Sequence, residues 1–314
     1  MTIRLGSRGS PLALAQSRLV QKMLADSSGA ALEDFPIETF TTTGDRIQDR
    51  RLQDAGGKGL FTKELDEALA ANRIDAAIHS MKDLPAKLPP GQVLCCVPAR
   101  EDPRDAFISS RAKDLMVLPP GAVIGTASLR RQAQALHLRP DLRVVTLRGS
   151  VQTRLKRLED GDFDATFLAL AGLARLGLAE KATALMPIEV MPSAPGQGAL
   201  AVTCRADDDA TREAFAKLNV AEFDIATTAE RAFLEVLDGS CRTPIGALGT
   251  LDGQTLFFIG EVLTPDGAKH WRRTATIALG ADARADAENL GRKLGAEIRA
   301  EAGDDFRPDK MNGW

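Results

Sequence analysis

Twice along this chain a short apolar run ends in a turn that combines glycine, a hydroxyl and arginine, then passes straight into an amphipathic helical pattern. Leu5-Gly6-Ser7-Arg8-Gly9-Ser10 leads into the first helix, and Ile124-Gly125-Thr126-Ala127-Ser128-Leu129-Arg130-Arg131 leads into a later one. A strand that feeds a helix through so short a turn belongs to an open, mostly parallel sheet with helices on its faces, and two copies predict two such sheets. In sheets of this kind the turns gather at the carboxyl edge of the strands, where ligands bind. Helix N-termini there offer free N–H groups and a positive dipole end to anions. Two lobes can therefore grip one anionic ligand between them. The same hydroxyls also read as plain helix N-caps.

The remaining pattern fits an α/β plan. A strand at 3–5 is followed by Ser10-Pro11, an N-cap with proline at the first helical position, and a helix to about residue 26 on Leu12, Leu14, Ala15, Leu19 and Met23. Strands are predicted at 37–42, 75–80 and 92–98, with a helix over 62–72. Glu101-Asp102-Pro103-Arg104 reads as a linker. Beyond it strands at 105–109, 122–126, 142–147 and 164–169 are interspersed with helices over 129–138, 151–159 and 171–176. Pro195-Gly196-Gln197-Gly198 leads to a strand at 199–204 and helices over 210–218 and 222–237. The texture then changes. Segments 246–251, 255–263 and 270–278 alternate apolar and polar residues, with Asp252-Gly253 and Asp266-Gly267 at their turns, and predict an antiparallel meander covered by a helix over 281–301. At 314 residues the chain exceeds one core, so two or three domains are expected.

Chemistry concentrates at a few places. The helix over 222–237 breaks at Asp238-Gly239, and Ser240-Cys241-Arg242-Thr243-Pro244 puts a thiol on a tight connection beside a guanidinium that favours thiolate. A lone cysteine is also a common small buried hydrophobe. The other cysteines, Cys95, Cys96 and Cys204, make no Cys-x-x-Cys, so neither a disulfide framework nor a metal site is predicted and a reducing, cytoplasmic setting fits. Between Thr126 and Leu158 the basic residues Arg130, Arg131, Arg139, Arg143, Arg148, Arg154, Lys156 and Arg157 stand against one acid, Asp141, in a chain of formal charge -3. Arginine in such excess favours bidentate recognition of carboxylate or phosphate, although Arg139, Lys156 and Arg157 read as solvated charges. Lys82-Asp83 ends a strand on the same predicted edge as Arg8 and Ser10. A carboxylate kept ionised there can stabilise a cation forming on a substrate, or it can be a surface ion pair of little consequence. His79, inside that strand, reads as core.

The acidic balance argues against nucleic acid and membrane surfaces as partners, and 4% aromatic residues without tyrosine leave little to stack bases on. No apolar run is long enough to span a bilayer, and the start lacks a signal-peptide layout. The loop at Gly56-Gly57-Lys58-Gly59 lacks phosphate-loop spacing and reads as a mobile lid.

Several motifs in a fixed order carry a resemblance. They are Arg8-Gly9-Ser10-Pro11-Leu12-Ala13-Leu14-Ala15-Gln16, Lys58-Gly59-Leu60-Phe61, His79-Ser80-Met81-Lys82-Asp83-Leu84-Pro85, Gly125-Thr126-Ala127-Ser128-Leu129-Arg130-Arg131-Gln132, Leu147-Arg148-Gly149, Ala171-Gly172-Leu173, Pro195-Gly196-Gln197-Gly198 and Gly239-Ser240-Cys241. Together they resemble the porphobilinogen deaminase family over nearly the whole chain. The resemblance implies two α/β lobes like those of type II periplasmic binding proteins and a small α+β C-terminal domain. Domain 1 would take residues 1–99 with 200–217, domain 2 residues 104–193, and domain 3 residues 218–314. It implies a transferase of tetrapyrrole (haem) biosynthesis that adds four porphobilinogens head to tail, with loss of ammonia, and releases 1-hydroxymethylbilane by hydrolysis.

By that resemblance Cys241 holds a dipyrromethane cofactor through a thioether, so its thiol is an anchor and not a turnover nucleophile. Asp83 is the catalytic carboxylate. Lys82, Ser128, Arg130 and Arg131 hold the cofactor, while Arg8, Ser10, Arg148, Arg154, Arg175, Phe61 and Gln197 serve substrate and the growing chain. The small-molecule substrate is the expected partner of a monomer. After the cysteine Arg242-Thr243-Pro244 differ from the small or uncharged residues the family leads one to expect, and Ser240 stands in place of a frequent glycine, yet attachment needs only the thiol. Two other readings differ in kind. A non-catalytic two-lobed anion-binding module would be indifferent to loss of Cys241, and a thiol hydrolase would need His79 or His137 as its base.

Overall fold

The computed structural model describes residues 2–46, 59–237, 243–303 and 305–306. In chain order the first elements are β1 (Leu5–Arg8), α1 (Pro11–Ser28), β2 (Ile37–Phe40), α2 (Thr43–Arg46), α3 (Lys63–Ala70), β3 (Ala76–Ser80) and β4 (Gln92–Cys96). A second series comprises β5 (Asp105–Ser109), β6 (Val123–Gly125), α4 (Leu129–Leu138), β7 (Arg143–Val145), α5 (Val151–Glu159), β8 (Ala165–Ala169), α6 (Leu170–Arg175) and β9 (Ala184–Leu185). Then come β10 (Leu200–Arg205), α7 (Asp209–Ala216), α8 (Ala221–Val236), β11 (Ile245–Asp252), β12 (Thr255–Leu263), β13 (His270–Ala278) and α9 (Ala283–Ala302).

Among the described residues these strands form two five-stranded sheets and one three-stranded sheet. The first has the order β2-β1-β3-β10-β4, with β1 parallel to β2 and β3, and β10 antiparallel to both its neighbours. The second, β7-β6-β8-β5-β9, repeats the plan: β6 is parallel to β7 and β8, and β5 is antiparallel to β8 and β9. The sheets are therefore more mixed than the expected mostly parallel ones. The reason lies in the crossings between lobes, since β5 enters the second sheet and β10 re-enters the first against the local strand direction. Hydrophobic periodicity locates a strand and carries no information about its direction. Helix α7, which follows β10, packs on β4 and β10.

Both crossings run side by side. Arg100 and Ala199 form an antiparallel bridge, flanked by Glu101 N to Gly198 O at 3.1 Å and Leu200 N to Ala99 O at 2.9 Å. Gly198 has φ +86°, and a Cβ there would lie 2.3 Å from the Glu101 carbonyl oxygen, so no larger residue fits this junction. Below it, Glu230 of α8 is fully buried and accepts from Arg100 Nη1 at 2.8 Å, Gly196 N at 2.6 Å and Gly249 N at 2.8 Å. One carboxylate thus ties both crossings to the C-terminal sheet.

That sheet is the expected meander, β11-β12-β13, with α8 and α9 packed against it. Phe233 and Phe258 meet edge to face with centroids 5.5 Å apart, at the centre of a core that includes Leu294 and Ile298. Each such side chain contributes about 1.5–3 kcal/mol by burial. Gly291 lets the two helices touch, because a Cβ there would sit 2.1 Å from the Ala229 carbonyl oxygen.

Candidate active site

The carboxyl ends of the parallel strands face a cavity of about 1120 Å³ between the lobes, closed on one side by the end of α8 and the start of β11. Its wall is set by where strands stop. β1 ends at Arg8, the last residue of a strand that runs three residues further than periodicity predicts. β3 ends in a short 3-10 turn, Met81–Asp83, that carries Lys82 and Asp83 to the same edge. Ser10 and Ser128 cap α1 and α4, accepting from Ala13 N at 3.3 Å and Arg131 N at 3.4 Å. Both also line the cavity, so each hydroxyl caps its helix and keeps a proton to donate to a ligand.

Arg8 is the pivot of the first lobe. Its Nη1 donates to Asp83 Oδ2 at 3.3 Å, its Nε and Nη2 hold Asp45, and its guanidinium lies 4.3 Å from the centroid of Phe61. Asp45 is fixed in turn by Thr42 Oγ1 at 2.7 Å. Burial works against the Arg8 charge, but the hydrogen bond to Asp45 and the charge of Asp83 outweigh it and raise its pKa. Asp83 thus presents a carboxylate oriented by one guanidinium and open on its other side, with its side chain 24% exposed.

Opposite stands a buried cluster. Asp105, at the start of β5, is completely buried and binds Arg130 Nη1 and Arg131 Nη2, each at 2.7 Å. Desolvation alone would raise its pKa; the charges of Arg130 and Arg131 hold it far below the carboxylate range. Gln197 bridges the lobes, donating Nε2 to Asp105 Oδ1 at 2.9 Å and to Pro103 O at 2.7 Å while its Oε1 accepts from Lys82 Nζ at 3.2 Å. Cations remain in excess. Desolvation and then Arg131 push Lys82 down to about 8, and desolvation, Arg131 and Arg148 push Arg154 down to about 10. Groups that depress one another in this way are relieved by a bound anion. Arg154 Nε donates to the Gly149 carbonyl, and Arg148 reaches across to the Gly44 carbonyl of the other lobe at 3.2 Å.

Of the residues singled out in the sequence, the cavity wall brings together Arg8, Ser10, Phe61, Lys82, Asp83, Ser128, Arg130, Arg131, Arg148, Arg154 and Gln197. Arg175 is not on that wall: its Nη2 donates to the Gly198 carbonyl at 2.6 Å. Cys241 lies outside the described residues, as do Gly56, Gly57 and Lys58 of the glycine-rich loop, but Thr243, two residues beyond the cysteine, lines the cavity. His79 is buried against Thr203 Oγ1 at 3.2 Å, and burial together with Arg8 pushes its pKa down to about 3, as suits a core residue. His137 meets the His270 ring at a tilt, with centroids 4.6 Å apart, and bonds the Gly267 carbonyl, away from the cavity. Neither is available as the base of a thiol hydrolase.

Two acids escaped the sequence reading. Asp105 opens a strand that continues Ala-Phe-Ile-Ser, and a charge beginning a buried strand is itself a signal of a paired ion. Asp45 follows three threonines at the end of β2, on the edge that carries Arg8.

Residues 3–213 match the family model described as "Porphobilinogen deaminase, dipyromethane cofactor binding domain", and residues 225–300 match "Porphobilinogen deaminase, C-terminal domain". A porphobilinogen deaminase of Caulobacter vibrioides strain NA1000 is 53% identical over 311 residues, covering 96% of this chain and 96% of that protein. One from Phenylobacterium zucineum is 50% identical over 311 residues, covering 96% and 97%. A solved ABC transporter periplasmic substrate-binding protein from Coxiella burnetii is 17% identical, with a TM-score of 0.45 over 69% of this chain and 91% of that one.

Proposed function

This chain belongs to the porphobilinogen deaminase family, and from that premise we propose how its residues divide the work of joining porphobilinogens into a linear tetrapyrrole. The observation that carries the reading is the meeting of one oriented carboxylate, Asp83, with an excess of arginine and lysine in a single interlobe cavity.

The wall fits a dipyrromethane. Each pyrrole unit brings an acetate and a propionate, and the donors present, guanidinium forks, an ammonium and two serine hydroxyls, are carboxylate ligands. Attached to Cys241, the group supplies the nucleophilic ring carbon from which the chain is extended. Lys82, Ser128, Arg130 and Arg131 hold its carboxylates, with Asp105 keeping the two guanidiniums in place. Arg8, Ser10, Arg148 and Arg154 receive those of the incoming porphobilinogen, and Phe61 packs beside them. Arg175 holds the crossover through Gly198, and Gln197 links Lys82 to Asp105; neither needs to touch substrate.

Asp83 stabilises the positive charge that develops on the pyrrole nitrogen as ammonia departs and again as the new carbon–carbon bond forms, a service that needs an ionised carboxylate in a partly desolvated place. Arg8 positions it. The first lobe carries the acid and the second most of the carboxylate-binding arginines. Residues 1–99 with 200–217, 104–193 and 218–314 act as three domains around the cavity. The same reading has the chain act as a monomer in the cytoplasm, a reducing compartment that suits the free thiols of Cys95, Cys96 and Cys204.

Asp83→Asn tests the central role. The variant is expected to keep its covalent pyrroles and lose most turnover, about 10²-fold or more, the scale of removing a principal electrostatic contact. Near-normal hydroxymethylbilane formation would remove Asp83 from that role.

A further inference from the structure

Helix α8 ends five residues before Cys241, and its last turns are fastened to the segment that follows Asp83. Arg231 Nη2 donates to two successive carbonyls, Pro85 O at 3.0 Å and Ala86 O at 2.8 Å. One turn later Glu235 meets Lys87 Nζ at 3.1 Å. That pair is open to solvent at its lysine end and contributes little. Arg231 is different: it is half-buried, its guanidinium is engaged by two main-chain carbonyls, and desolvation pushes its pKa down to about 10. Pro85, Ala86, Lys87, Leu234, Glu235 and Thr243 all line the cavity. The two fastened segments, one following Asp83 in the chain and the other ending α8 ahead of Cys241, thus both belong to the cavity wall.

We propose that Arg231 is a positioning residue that holds α8 in register with the Asp83 turn and so sets the reach from the cofactor anchor to the catalytic carboxylate. The proposal rests on the assignment of Cys241 and Asp83 above. A fixed reach matters most when the reacting ring is close to the anchor. The first addition couples to the outer ring of a two-ring primer whose tether is short, and a displacement of 1 Å there costs up to about 10²-fold. Later additions extend a longer, looser chain and tolerate a shift of the anchor. Loss of Arg231 is therefore expected to act on the first addition more than on those that follow.

The test is a rapid-quench series on the holoenzyme with limiting porphobilinogen, following by intact mass the species that carry one, two and three added units. In Arg231→Ala the first addition is expected to slow about tenfold and the later ones less than about threefold, with KM little changed. Arg231→Lys, which keeps one donor for the carbonyls, should recover part of the rate and serves as the test if the alanine variant does not fold. Equal slowing of every addition, or none, would overturn the proposal. A missing pyrrole increment in the unsubstituted enzyme, or one retained in Cys241→Ser, would instead overturn the anchor assignment beneath it.

Discussion

At the scale of single residues the site is a balance of charge in which Lys82 and Asp105 occupy opposite extremes. Lys82 sits near 8, well below an ordinary ammonium, because burial and Arg131 outweigh the pull of Asp83 and Asp105. Raising the pH through 8 therefore removes a positive charge from the cavity, and kcat/KM for a substrate with two carboxylates should fall on a basic limb with its midpoint near there. Lys82→Arg keeps the charge and should carry that limb to higher pH; a limb that stays in place would assign it to another group. Asp105 is also shifted downward, but for an acid that favours the charged form. Its carboxylate is depressed in the folded state, so the stability it contributes is complete above the ordinary carboxylate range and is lost only as the pH falls through the folded value. Asp105→Asn leaves Arg130 and Arg131 buried with an amide between them, and denaturant unfolding should register a loss of about 3–5 kcal/mol. A loss below about 1 kcal/mol would mean that water or Gln197 compensates.

At the scale of elements, the two strand-turn-helix repeats were legible because they combine period, cap and turn chemistry in a few residues. The helices at Leu129–Leu138 and Val151–Glu159 and the strands at Thr255–Leu263 and His270–Ala278 lie where the spacing predicts. Direction and order were not legible. β10 lies between β3 and β4 although more than a hundred residues separate it from either in the chain, and nothing local in Leu200–Arg205 encodes that partner; only the family resemblance led there. Asp105 was missed for a related reason, since its meaning depends on Arg130 and Arg131, 25 and 26 residues further along the chain in another element. The crossover gives an element-scale prediction. Gly198→Ala must place a Cβ against the Glu101 carbonyl at a left-handed φ, so the side-by-side crossings have to part. The variant should lose about 2 kcal/mol or more of stability, read as a fall in Tm; an unchanged Tm would show that the junction yields without cost.

At the scale of the whole molecule the cavity is a joint product of three parts of one chain. The first lobe brings the acid and its guanidinium partner, the second brings the paired arginines, and the C-terminal part brings a helix that stops beside the cavity just before Cys241. A two-lobed binding module would need the first two and could dispense with the third. The third has a use once one end of the growing product is tied to the protein, which is the central claim. Its most direct measurement is the intact mass of the purified protein beside that of Cys241→Ser, each weighed before and after addition of porphobilinogen. The account predicts an excess equal to two porphobilinogens less two ammonias on the unsubstituted protein and none on the variant. An unsubstituted protein that stays unmodified after porphobilinogen is added, or a variant that carries the same excess, would contradict it.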